Sequence, residues 1–303
     1  MGGLHCQLPM DVNDEYENRL EADFLEENPG LPPPQPSSLP TDEKYFALLA
    51  TALRKCLQYK PKFGKGRKEG LTIEQFTALY GADPFYHWFG VDTPLMYAAH
   101  KAAGGMTSVY RQIGIGCQWV FNQLLQDQFG LTAEQAIWTY EIPGGNNKPR
   151  KLTLDGKIAL CDVKNPAARM RVEGWLGAVA AQIRLPADRL ANLKGIVFET
   201  RQGYKSKDSK RQNADIANAA KAYAHSYVPT LVVFSTQIDA DVAHRYRENL
   251  WVLLTGTLEG SASSSAYVFC REVIGYDLAE FFARSSPRIK TEVESVLRVL
   301  FST

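Results

Sequence analysis

Residues 230–236, Thr-Leu-Val-Val-Phe-Ser-Thr, carry four apolar side chains at consecutive positions. A strand sends successive side chains to opposite faces, so a strand of this composition is covered on both sides. That demand points to a sheet with helices packed on its faces. The runs Gly195-Ile-Val-Phe-Glu199 and Asn249-Leu-Trp-Val-Leu-Leu254 have the same character. Helical spacing lies between the first two, over about 167–184 and 208–226. Upstream, Ile137–Ile142 reads as a strand. The stretch Lys151–Cys161 reads as a hairpin with Asp155-Gly156 at its turn, because Asp-Gly suits a two-residue connection. The order β-β-β-α-β-α-β predicts an α/β fold. Its mixed sheet has an antiparallel hairpin feeding parallel strands and is flanked by helices.

Residues 41–136 read differently. Tyr45, Leu48, Leu49, Leu53 and Leu57 recur at helical spacing, with Thr41 as the expected N-cap and Asp42 and Glu43 in the first turn. A capping box is expected at Thr72–Gln75. A short helix is expected over 94–103, stopped by Gly104-Gly105, and a long one over 107–128. The last helix is expected over 290–301. Residues 31–40, Leu-Pro-Pro-Pro-Gln-Pro-Ser-Ser-Leu-Pro, cannot form helix because proline lacks the amide donor. Three regions follow: an extended arm at 1–40, a helical region at 41–136 and an α/β core at 137–303.

The net charge is +1, so a polyanion-binding surface has to come from local clustering. Two clusters exist. Residues 60–68 hold five basic side chains and no acid, and residues 201–211 hold five with one acid. The five cysteines are scattered, odd in number and without C-x-x-C spacing, which argues against a disulfide framework and for a reducing compartment. No leader-like or membrane-spanning apolar run is present, so a cytoplasmic protein with no membrane partner is expected. The histidines lack H-x-x-x-H pairing, which argues against a histidine metal centre.

The chemistry-bearing residues are Asp162, Lys164 and Glu199. Asp162-Val163-Lys164 follows the expected hairpin, and Glu199 ends the strand after the next helix. Strands joined by a helical crossover are expected to be parallel, so the two acids would share one rim of the sheet. Two carboxylates there could hold Mg²⁺, and Lys164 would stabilise charge on a phosphate.

Taken together, these residues resemble the PD-(D/E)xK nuclease superfamily. Asp162-Val163-Lys164 is similar to its (D/E)-x-K half. Residues 203–215 are similar to segments of type II restriction endonucleases, with an ApaLI-like group as one home. The resemblance covers about 137–236. It implies a restriction-endonuclease-like fold, a Mg²⁺-dependent double-stranded DNA endonuclease and a homodimer on palindromic DNA. It also implies a second acid, for which Asp155 and Glu141 are the options. Another register is open, in which Asp162 is the first acid and Glu199-Thr200-Arg201 the triplet, with arginine in the lysine slot. DNA contacts are expected from Lys60, Lys62 and Lys65 as a backbone clamp. Arg201, Lys205, Lys207, Lys210, Arg211, Gln212 and Asn213 are the expected reading segment. The rival readings are a repair or recombination nuclease, a DNA-binding module without catalysis, and a small-molecule α/β enzyme.

Overall fold

The computed structural model describes residues 40–63, 70–143, 149–203 and 209–301; side chains at 142–143, 149–150 and 209–212 lie outside that description. Except for Pro40, the expected arm at 1–40 is also outside it.

Helix α1 (Thr41–Arg54) starts directly after Pro40, which makes no side-chain capping bond. Thr41 is therefore the first helical residue and not the cap. The acids of the first turn bind a distant helix instead. Asp42 Oδ2 accepts from Arg284 at 2.9 Å, and Glu43 pairs with Arg288. Farther along α1, Arg54 pairs with Glu292. These arginines and Glu292 belong to the final helix, α10 (Leu278–Phe301), which starts twelve residues earlier than its periodicity suggests and carries Pro287 inside it. Helix α2 (Ile73–Gly81) opens on the expected capping box, with Thr72 and Gln75 exchanging bonds. A one-turn helix, α3 (Pro84–Trp88), follows.

Helix α4 (Pro94–Phe129) is continuous over 36 residues, so Gly104-Gly105 does not end it. The two glycines serve close packing. A Cβ on Gly104 would lie 1.9 Å from the Tyr59 hydroxyl, and one on Gly105 would lie 2.8 Å from Leu300. The helix stops at Gly130, whose φ of 66° is left-handed.

Strands β1 (Trp138–Pro143) and β2 (Pro149–Leu154) form an antiparallel pair. A four-stranded sheet is built from β3 (Gly156–Ala159), β4 (Gly195–Arg201), β5 (Tyr227–Val233) and β6 (Val252–Leu254), in that spatial order. The β3–β4 pair is antiparallel, whereas β4–β5 and β5–β6 are parallel. Helices α5 (Pro166–Gln182) and α6 (Ala187–Ala191) connect β3 to β4. Helix α7 (Ser209–Ala224) connects β4 to β5, and α8 (Ala240–Glu248) connects β5 to β6. A short α9 (Ala266–Phe269) and a π turn precede α10. The chain is thus mixed α/β with a mixed sheet.

The expected hairpin turn at Asp155-Gly156 is a bend within one extended run instead. Leu154 ends β2, Gly156 begins β3, and the run passes from the hairpin into the main sheet. Asn122 on α4 fixes the bend by donating to the Asp155 carbonyl at 3.0 Å.

Both faces of β5 are covered, as its composition requires. Val228, Val232 and Phe234 join the larger cluster with Phe121, Leu124 and Phe198. Leu231 and Val233 pack with Ala219, Val242, Tyr246 and Trp251. Phe121 of α4 meets Phe198 at 5.1 Å and Phe234 at 6.2 Å. The larger cluster runs from Tyr45 on α1 through α4 to Phe281 on α10, so the boundary expected at 136/137 is not a break in packing.

Candidate functional site

Alternation along β4 sorts its side chains. Phe198 packs toward α4, whereas Val197 packs with Tyr140, Trp138 and Ala222. Glu199 and Arg201 follow Val197 at steps of two and share its face. They lie between the β1–β2 hairpin and α7. Glu199 is 8% exposed and forms an ion pair with Arg201. Arg201 also lies 3.7 Å from Asp215 of α7, which is 3% exposed.

Asp155 completes the group. Its carboxylate accepts from the Thr200 backbone N–H at 2.7 Å and from Thr200 Oγ1 at 2.9 Å. Thr200 is the middle residue of Glu199-Thr200-Arg201, so Asp155 docks directly on that triplet. Register explains the meeting. Gly156 pairs with Phe198 in the antiparallel ladder, and one step back along β3 is one step forward along β4. The surrounding shell is polar and engaged. Tyr246 donates to Asp215, and Tyr140 donates to Asn218. Trp251 Nε1 reaches the Asp215 carbonyl at 3.2 Å.

Burial pushes the Glu199 carboxyl well above its usual range; the Asp155 and Asp215 charges add to this, and Arg201 opposes it. Burial also raises Asp155, against Arg201 and the Thr200 hydrogen bonds. Burial works against charge on Arg201, but Glu199, Asp215 and Asp155 outweigh it and hold the guanidinium protonated. Three carboxylates around one guanidinium leave an excess of negative charge when all are ionised. A group of that kind favours uptake of a proton or a cation. Arg201 Nε–H is buried and has no acceptor among the described residues, so the group also presents a donor.

The residues expected from sequence divide sharply. Asp155, Glu199 and Arg201 come together. Asp162 and Lys164 do not join them. The β3–β4 pair is antiparallel, not parallel, so the end of β3 lies beside the start of β4. Ala159 pairs with Gly195, and Leu160 N donates to the Lys194 carbonyl at 2.8 Å. Asp162 sits in the turn just beyond, whereas Glu199 is four residues up β4, about 13 Å at 3.3 Å per residue. The structure therefore does not bring Asp162 and Glu199 together on one rim, as the shared cation and the register with Asp162 as first acid both require. Lys164 is exposed in the segment leading to α5, and Glu141 is exposed on β1.

Of the expected DNA contacts, Lys60 and Lys62 are exposed. Arg201 is committed to its carboxylates and is not a surface contact. Asn213 is exposed and accepts from Arg245 at 2.6 Å. Lys65, Lys205 and Lys207 lie outside the described residues, as do the side chains of Lys210, Arg211 and Gln212.

Asp215, Tyr140, Tyr246 and Asn218 were missed. One signal for two of them was present. Asp215 and Asn218 fall on the same helical stripe as Ala219 and Ala222, all buried. Polar residues on an apolar stripe mark a buried polar contact.

No model of a known protein family, no curated protein and no solved structure matches the chain.

Proposed function

We propose that this chain is a Mg²⁺-dependent double-stranded DNA endonuclease of the type II restriction kind. Its sheet is then of the restriction-endonuclease type, with Asp155 as the first acid and Glu199-Thr200-Arg201 as the triplet. The carrying observation is the docking of Asp155 on Thr200, which joins two carboxylates and a guanidinium across adjacent strands.

Among the described residues no three acidic, histidine or cysteine side chains form a metal cage. Mg²⁺ does not need one, since it binds through one or two carboxylates and fills its shell with water and phosphate oxygens. The excess negative charge of the group suits it, and Asp155 and Glu199 would be the ligands. When bound, the ion would polarise the phosphate and acidify a water.

The chain's own residues have separate tasks in this reading. Thr200 orients the Asp155 carboxylate through two hydrogen bonds. Arg201 keeps its charge and holds the Glu199 carboxylate in place; it cannot act as a base. Glu199, whose carboxyl burial holds well above its usual range, would have to give up its proton to serve as a ligand. Lys60 and Lys62 lie toward the other end of α4. Tyr59 packs at Gly104, and the site touches α4 at Asn122, through its bond to Asp155. Eighteen residues at 1.5 Å separate those points by about 27 Å. That is roughly eight base-pair steps of a duplex, a span suited to a backbone clamp.

A DNA-binding module without catalysis is the second reading. Its support is that Glu199 is deeply buried and already ion-paired. Incubation of the full chain with plasmid DNA and Mg²⁺ separates the two. Cutting is expected, with Asp155→Asn and Glu199→Gln each slowing it at least about a hundredfold and Asp162→Ala leaving it near wild type. Undiminished cutting by Glu199→Gln, or sensitivity to Asp162→Ala alone, would remove the site assignment. Salt-dependent DNA binding without cutting under Mg²⁺ or Mn²⁺ would favour the module.

A further inference from the structure

Arg201 stands between two carboxylates that it does not hold equally. Its Nη1 is paired with Glu199 and donates to the Thr200 carbonyl at 3.1 Å. Its Nη2 lies 3.7 Å from Asp215 Oδ1, an ion-pair distance about 1 Å longer than a charge-assisted hydrogen bond. The guanidinium thus leans on Glu199 and leaves a gap toward Asp215. An arginine fork can face two carboxylates at once, which the point charge of a lysine does not do with comparable geometry.

Asp215 is held firmly on its far side. It is buried on the inward stripe of α7, and its other carboxylate oxygen accepts from Tyr246 of α8. Trp251 Nε1 donates to its backbone carbonyl at 3.2 Å. Half a turn earlier on α7, Asn213 is tied to α8 by Arg245 at 2.6 Å. Burying a carboxylate costs desolvation, and its stripe neighbours Ala219 and Ala222 give no packing reason for a charge. The group it faces across the gap is the Arg201 guanidinium.

We propose, on the metal site read above, that Asp215 is a positioning residue that receives Arg201 when a divalent cation binds at Glu199. The guanidinium sits against Glu199, so a cation binding there meets a positive charge already in place. Repulsion at that range is strong in a site with little water. A shift of about 1 Å toward Asp215 turns the long ion pair into a hydrogen bond and leaves Glu199 to the cation. Arg201 keeps its proton throughout. Without the Asp215 charge, the displaced guanidinium would be buried with no counter-charge on its α7 side, so Glu199 would stay with Arg201 and the cation would bind poorly.

Mn²⁺ binding to the full chain, read by electron paramagnetic resonance without DNA, tests this independently of cleavage. Asp215→Asn keeps the size of the side chain and should weaken binding on the order of tenfold or more. Arg201→Gln removes the rival charge and should bind Mn²⁺ at least as tightly as wild type. Adding Asp215→Asn to that variant should then change affinity less than about twofold. A field effect of the Asp215 charge alone would weaken binding equally in both backgrounds, and a purely structural role would lower Tm without touching affinity. Either result overturns the proposal, as does loss of binding in Arg201→Gln. Tyr246→Phe leaves Glu199, Arg201 and Asp215 in place but removes the hydroxyl that holds Asp215. It should weaken binding by about fivefold, and it decides the matter if Asp215→Asn does not fold. Wild type that binds no Mn²⁺ would remove the metal site and this role of Asp215 with it. Binding that Glu199→Gln abolishes, but that Asp215→Asn and Tyr246→Phe leave unchanged, would remove the role of Asp215 alone.

Discussion

Glu199 and Arg201 were legible as a pair because their spacing of two puts them on one strand face whatever the rest of the fold does. Asp155 was legible as an acid but not as a neighbour of Glu199. Asp-Gly is a strong local turn signal, and here the Asn122 and Thr200 hydrogen bonds hold it as a bend in an extended run. Asp162-Val163-Lys164 misled for a related reason, since its two-residue spacing holds only within a strand and β3 has already ended at Ala159. Burial gives Glu199 a measurable signature. Its carboxyl sits well above the ordinary 4.5, from burial first and neighbouring carboxylates next. The folded state therefore keeps this proton to higher pH than the unfolded chain. The stability it contributes is complete below about pH 4.5 and is lost as pH rises toward the folded value. Glu199→Gln should flatten the decline of Tm across that window. Parallel Tm–pH curves for the two proteins, followed by circular dichroism, would count against the burial of an ionisable carboxyl.

Elements were read well where periodicity is local and poorly where a distant contact decides. The capping box at Thr72 and Gln75 follows from adjacent residues alone, and so do the strands expected from 195 and over 230–236, which the structure places at 195–201 and 227–233. The continuity of α4 does not. Gly104-Gly105 reads as a stop until Tyr59 and Leu300 are seen to occupy the space their missing side chains leave. Strand direction was equally hidden, because a helical crossover normally returns a parallel strand and α5 with α6 returns an antiparallel one. Gly195 sits at that junction. Its φ is +150°, and a Cβ there would lie 1.9 Å from the Ile158 carbonyl oxygen. Gly195→Ala should therefore part β3 from β4 and cost at least about 2 kcal/mol in urea unfolding. A loss below about 0.5 kcal/mol would show that β3 and β4 do not meet closely at Gly195.

At the scale of the whole molecule, the class was legible from the order of elements, while the packing was not. Sequence separates a helical half from an α/β half at 136/137 because the apolar period changes there. The core ignores that line, since Phe121 of α4 is part of the floor under Phe198 and Phe234. Residues 40–301 should then unfold in one step. Tryptophan fluorescence and far-ultraviolet circular dichroism are expected to give coincident urea transitions. Two resolved transitions would restore the boundary. The seam between α1 and α10 has a consequence of its own. Its hydrogen-bonded partners are 238 to 245 residues apart. During synthesis at about 5–20 residues per second, the part of α1 that faces α10 waits roughly 10–50 s for its cover to be made. The nascent polypeptide spends that interval with Phe46 and the Phe281 side of Tyr45 open to any chaperone or neighbour within reach.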